Sequence, residues 1–148
     1  MRKVSLLVNP LAGKGKALSV ADELQFLLKK LNVETDALMP TSRNEVEGVI
    51  NESVDSGIDT LLAVGGDGLI NQAVNVLAET DVVRGVIPVG TGNDFARSLG
   101  LNSGDLLEQT QKALSPAVKV DLIKCDSNFV TTSAVSYTHL TLPTNREV

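Results

Sequence analysis

Short apolar runs alternate along this chain with segments whose apolar residues recur every three or four positions, and that alternation limits the folds it can adopt. Val4-Ser5-Leu6-Leu7-Val8 reads as a first strand, and Asn9-Pro10 ends it because proline cannot continue a central strand. Ala17, Leu18, Ala21, Leu24, Leu27, Leu28 and Leu31 then mark one side of an amphipathic helix. The pattern repeats. A second strand is predicted over Val33 to Met39, a helix from about Arg43 to Ser56 with Ser42 as its cap, and a buried-type strand over Thr60 to Val64. Helical periodicity restarts at Ile70, Ala73, Val74 and Leu77, and Arg84 to Val89 reads as a fourth strand. Phe95, Ala96 and Leu99 suggest a short helix stopped by Gly100, and Asp105 to Leu114 a further one; Val118 to Ile123 and Asn128 to Ala134 are strand-like. Strands alternating with helices require crossovers, so the expected class is α/β, a mostly parallel sheet with helices on both faces.

Bulk properties narrow the class further. The 148 residues suit one ordinary domain, and the longest apolar stretches fall far short of the roughly 18 residues of a membrane-spanning helix. Met1-Arg2-Lys3 runs straight into a strand without the apolar core of a secretory signal, so the expected location is cytoplasmic. A single cysteine, Cys125, has no disulfide partner and no neighbours at metal-ligand spacing, and is read as a packing residue. The net charge of −5 argues against nucleic-acid binding. Residues 1 to 31 nonetheless carry six Lys/Arg against two Asp/Glu. Either Lys14 and Lys16 sit near an anionic ligand, or the excess is a solvated helix face with a basic last turn at Lys29-Lys30.

In an open α/β sheet, ligands bind where loops leave the carboxyl ends of the strands. Three glycine-rich loops do so here: residues 9 to 15 after strand one, Gly65-Gly66-Asp67-Gly68 after strand three, and Gly90-Thr91-Gly92-Asn93-Asp94 after strand four. Glycine lets backbone N–H groups approach phosphate oxygens, and a following helix adds favourable potential. Alone, each loop is equally a tight turn, and Gly13-Lys14-Gly15 is neither a Walker loop nor a complete dinucleotide fingerprint. Their convergence at one rim favours phosphate. Asp67, between two glycines, is expected to be exposed, with Asp94 and Asp121 beside the same rim, a set suited to magnesium directly or through water. The structural alternatives are a turn former at Asp67, a first-turn helix acid at Asp94 and a strand-end acceptor at Asp121.

Val8-Asn9-Pro10 with Ala12-Gly13-Lys14-Gly15, then GGDG at 65 to 68, then PVGTGNDFAR at 88 to 97 together resemble the catalytic domain of bacterial diacylglycerol and related lipid kinases, over about residues 1 to 135. The third motif is the specific one, since GGDG is shared with NAD kinases and phosphofructokinases. The resemblance implies ATP-dependent phosphorylation of a lipid hydroxyl with magnesium, by a two-domain enzyme that meets its substrate peripherally at the membrane surface. Carried over by position, Asn9, Pro10, Leu11, Ala12, Gly13, Thr41, Gly66, Asp67, Gly68, Leu69, Ile70, Asn71, Gln72 and Thr91 line the ATP site. Asp67, Asp94 and Asp121 form the acidic network around magnesium and the phosphates. The base that accepts the hydroxyl proton, and further magnesium-site residues, belong to a second, mainly β domain absent from residues 1 to 135.

Two departures stand out: Leu69 where the family usually has threonine, and Gln72 where it has glutamate. An NAD kinase-like phosphotransferase and a non-catalytic nucleotide-binding module are the competing readings, the second encouraged by these departures. Residues 136 to 148, SYTHLTLPTNREV, lack a sustained period and resemble a translated sequencing-adapter artefact. They are set aside as a non-native tail, with the expectation that the native chain continues beyond about Val135.

Overall fold

The computed structural model describes residues 2–89, 105–115, 121–125, 128–130 and 145–147. Its elements run β1 (Lys3–Val8), α1 (Lys16–Lys30), β2 (Glu34–Leu38), a 3-10 turn (Arg43–Glu45), α2 (Val46–Asp55), β3 (Thr60–Gly65), α3 (Asp67–Leu77), β4 (Val83–Pro88), α4 (Leu106–Ala113), β5 (Asp121–Cys125), β6 (Asn128–Val130) and β7 (Asn145–Glu147). The first four strands form a parallel sheet in the order β2-β1-β3-β4. Leu7 lies opposite Leu38, Val8 opposite Val64, and Gly65 opposite Pro88.

Side-chain alternation along the central strands explains why both faces need helices. Val4, Leu6 and Val8 of β1 join Leu62 and Val64 of β3 in a cluster with Ala17, Ala21, Leu24 and Leu28 of α1 and Ala113 of α4. Leu7 and Leu61 point the other way, into a cluster with Val46 and Ile50 of α2 and Leu69, Ala73 and Leu77 of α3. Each fully buried leucine contributes about 1.5–3 kcal/mol. Space on the first face is tight over β4: a Cβ on Gly85 would run into the Leu62 side chain and lie 3.3 Å from Ala113 Cβ.

The apolar stripe of α1 is narrower than its sequence suggests. Ala17, Ala21, Leu24 and Leu28 are buried, whereas Leu18 and Leu31 are exposed. Contact with a flat sheet covers only the centre of the stripe, and Leu31 lies past the helix end, where Asn32 turns left-handed at φ 58°.

The later strands depart from the single parallel sheet. β5 pairs antiparallel with β6 and with β7 in a separate three-stranded sheet. Only Asp126-Ser127 separates β5 from β6, and two residues permit a hairpin but not the crossover of a dozen or more residues that parallel pairing needs. β7 comes from the segment set aside as a tail, with Asn145 opposite Ile123. Its pairing needs no side-chain period, because an open strand edge offers backbone donors and acceptors to any extended segment. Among the described residues, no helix is long and apolar enough to cross a membrane.

Candidate functional site

The strand order creates the rim where the first two glycine loops meet. From β1 the chain moves to β2 on one side, then returns to place β3 on the other side of β1. The helix after β1 covers the first face and the helix after β3 covers the second. Their connecting loops therefore part in opposite directions, leaving a crevice at the carboxyl ends of adjacent strands. Asn9 N donates to Val64 O at 3.3 Å, and Val89 N to Gly65 O at 3.1 Å, so β1, β3 and β4 all deliver their following segments here. The third loop, with Thr91 and Asp94, and the short helix expected over Phe95 to Leu99 lie outside the described residues.

Loop one is shaped by its own polar groups. Asn9 Oδ1 accepts from Leu11 N at 3.0 Å and Asn9 O from Ala12 N at 3.1 Å, folding residues 9–12 into a turn. Gly13, Lys14 and Gly15 follow with φ of 60°, 59° and 89°. Three successive left-handed residues are costly without glycine, and the two that flank Lys14 are glycines. Lys14 and Lys16 are exposed, and Leu11 is 82% exposed. The backbone of this segment is thus available for an anion, with two cations beside it.

Loop two is shorter than the GGDG motif implies. Gly65 still belongs to β3, Gly66 is the N-cap in an extended conformation, and α3 begins at Asp67. The intrahelical ladder starts with Ile70 N donating to Gly66 O at 3.2 Å. The N–H groups of Asp67, Gly68 and Leu69 precede it and so form the helix's anion-attracting end. A side chain at Gly65 would meet Leu69 Cδ2 at 3.0 Å and Asn9 Cβ at 3.6 Å, so this glycine brings loop one and α3 together.

Three expectations need correcting here. Asp67 is half-buried rather than exposed, with Oδ1 closed off from solvent, because the residue already lies in the first helical turn between the two loops. Leu69 and Ile70 do not line the rim with their side chains. Leu69 packs with Leu7, Val46 and Ile50, and Ile70 is 1% exposed, so only their backbone belongs to the loop.

Thr41 reaches the rim from β2, the strand beside β1. Its N and Oγ1 donate to Glu45 Oε2 at 2.8 and 2.9 Å. The Thr41 amide, then its hydroxyl, holds the Glu45 carboxyl below the usual range. Ser42, expected to cap the helix, makes no side-chain cap bond, because the first turn is 3-10 and precedes α2. The Ser42-x-x-Glu45 spacing is the signal that could have disclosed the reach-back by glutamate. Gln72 Nε2 donates across to Arg43 O at 3.3 Å, a bond that no local pattern reveals. Asn71, one residue earlier, accepts through its carbonyl from Asn75 Nδ2 at 2.9 Å.

Of the three expected carboxylates, Asp94 lies outside the described residues, among which no group of three metal-ligating side chains occurs. Asp67 stands at the rim, and Asp121 is the first residue of β5, opposite Glu147 of β7.

Comparison with known proteins agrees with this geometry. Residues 3–125 match the family described as Diacylglycerol kinase catalytic domain. The chain is 38% identical over 99 residues to a diacylglycerol kinase of Mycobacterium tuberculosis (strain ATCC 25618 / H37Rv), a match covering 67% of this chain and 32% of that protein. It is 32% identical over 117 residues to a diacylglycerol kinase of Bacillus subtilis (strain 168), covering 78% of this chain and 39% of that one. A crystal structure of a diacylglycerol kinase from Bacillus anthracis str. Sterne superposes with a TM-score of 0.73 at 26% identity, covering 86% of this chain and 45% of the other. In each case the match spans less than half the length of the relative.

Proposed function

The chain belongs to the diacylglycerol kinase catalytic domain family, and we propose that it supplies the nucleotide site of a parent enzyme that phosphorylates a lipid hydroxyl with ATP. The observation that carries this reading is the pairing of loop one with the start of α3 at the switch point between β1 and β3. Three left-handed residues on one side and a helix start without a side-chain cap on the other form a setting suited to phosphate oxygens.

In this reading Asn9, Pro10, Leu11, Ala12 and Gly13 hold the nucleotide from one side. Gly66, Asp67, Gly68, Asn71 and the backbone of Leu69 and Ile70 hold it from the other, with Gln72 behind them on α3 and Thr41 and Thr91 at its edges. The donor set fits magnesium, which takes one or two carboxylates and completes its shell with water and substrate phosphates. Asp67 is the described carboxylate in position to serve, and Asp94 and Asp121 are assigned beside it. Bound there, the ion neutralises charge on the transferring phosphoryl group. The bond from that group to ADP breaks as the lipid oxygen bonds to it, and the hydroxyl proton passes to a base in a second, mainly β domain of the parent.

Calorimetry with ATP and magnesium, comparing the chain with Asp67→Ala, tests the nucleotide half. The expected outcome is binding that the variant weakens; a chain that binds no ATP ends the proposal. Assaying the native-length parent with a diacylglycerol panel tests the lipid half, and robust turnover by residues 1–135 alone would refute the division of labour between two domains.

A further inference from the structure

We propose that Gln72 is a positioning residue whose amide holds the 41–45 segment against α3 and thereby sets where Thr41 stands at the nucleotide rim. This rests on the nucleotide reading above and deepens it. The path from α3 to Thr41 is continuous. Gln72 Nε2 donates to Arg43 O, the same carbonyl that receives Val46 N where the 3-10 turn ends. Within that turn, Glu45 reaches back to take both the amide and the hydroxyl of Thr41. A displacement at Arg43 therefore moves Thr41.

A second observation points the same way. Gln72 and Ala73 lie three and four residues after Leu69, so both neighbour it on one face of α3. Leu69 and Ala73 are buried with Val46 and Ile50 of α2. Apolar packing brings α2 against this face, and the Gln72 bond adds the direction that packing lacks.

The chemistry of position 72 decides whether the brace forms. An amide has two N–H donors, whereas an ionised carboxylate accepts only and would set negative charge against the Arg43 carbonyl. The departure that removes a carboxylate from this helix thus adds a donor to it. Leu69 and Gln72, which look independent in the sequence, both fasten α3 to the segment that carries Thr41.

The test uses the whole chain as wild type, Gln72→Met, Gln72→Glu, Thr41→Val and the Gln72→Met/Thr41→Val pair. Losing one hydrogen bond should speed hydrogen exchange of the Thr41 amide by about fivefold in both Gln72 variants. Protection of the Leu62 amide, in the middle of β3, should stay unchanged and so report an intact fold. ATP–magnesium binding should weaken in Gln72→Met, with no added loss when Thr41→Val is already present. Unchanged Thr41 exchange overturns the brace, and additive losses in the double variant overturn positioning in favour of direct contact with the nucleotide. If wild type binds no ATP, the nucleotide reading falls while Thr41 exchange still decides the brace.

Discussion

Replacing Gly65 with alanine should destabilise the domain through a single contact. The added Cβ would stand 3.0 Å from Leu69 Cδ2, with Leu69 Cβ and Asn9 Cβ each at 3.6 Å. Only the first distance is too short, lying about 0.8 Å inside a comfortable carbon–carbon separation. Leu69 is 8% exposed and packed with Val46, Ile50 and Ala73, so its methyl cannot swing out without disturbing its neighbours. Overpacking of this kind costs about 1–3 kcal/mol, or a melting temperature lower by roughly 3–9 °C for a chain of this size. Thermal and urea unfolding measure it. The diagnostic variant is Leu69→Ala, which alone opens a cavity at a cost of about 2–4 kcal/mol but removes the clashing methyl. Added to Leu69→Ala, Gly65→Ala should therefore cost almost nothing, a coupling of about 1–3 kcal/mol. A melting temperature unaffected by Gly65→Ala, or an equal loss in both backgrounds, would refute the reasoning.

Other perturbations test different parts of the fold. Arg2 donates from Nη1 to Leu114 O at 2.9 Å and from Nη2 to Thr60 Oγ1 at 3.0 Å, tying the end of α4 to the start of β3. Arg2→Met should cost about 1.5–3 kcal/mol in urea unfolding, and a neutral result would mean the clamp is ornamental. Leu24→Ala, at a side chain with no exposure between α1 and the sheet, should cost about 2–5 kcal/mol; less than about 1 would show that the first face collapses around the gap. For Glu45, the folded pKa lies below the unfolded one, so its contribution is fully present above the unfolded pKa and disappears as pH falls through the folded pKa. NMR titration should find the Glu45 carboxyl titrating below a model peptide, with the Thr41 amide shifting in step; Thr41→Val should keep the larger, amide-derived part of the depression.

Much of the sheet is legible from local pattern. The first four strands and the helices α1 to α4 all lie where apolar periodicity places them, because burial on a helical or pleated face requires side chains at fixed intervals. The two described glycine loops are legible too, since strand ends and helix starts carry recognisable residues. Misread features have a common origin. Leu69 and Ile70 sit beside the glycines in sequence but inside the protein in space, and a motif cannot tell a loop's backbone from its side chains. Ser42 looked like the cap because its residue type suits one, yet Glu45 and Thr41 form the bond in that turn. β5 and β6 were expected to extend one mostly parallel sheet, whereas a two-residue connection pairs them antiparallel in a second one.

The sequence alone determined the class of this fold and its family, because both depend on spacing within short segments: apolar residues at helical and strand periods, glycines at strand ends, and the PVGTGNDFAR run. Only tertiary structure decided which segments became neighbours. Hydrophobic patterning states that Leu7 and Ala73 are buried, but not that they are buried together, since apolar attraction has no direction. The bond from Gln72 to Arg43 joins residues 29 apart, and the polar cluster of Ser5 with Asp36 and Ser53 joins β1 to β2 and α2. Such contacts arise after chain reversal has brought distant segments together, and no local pattern encodes them. The strand order β2-β1-β3-β4 is of this kind, and by setting β1 beside β3 it turns two glycine loops into one rim.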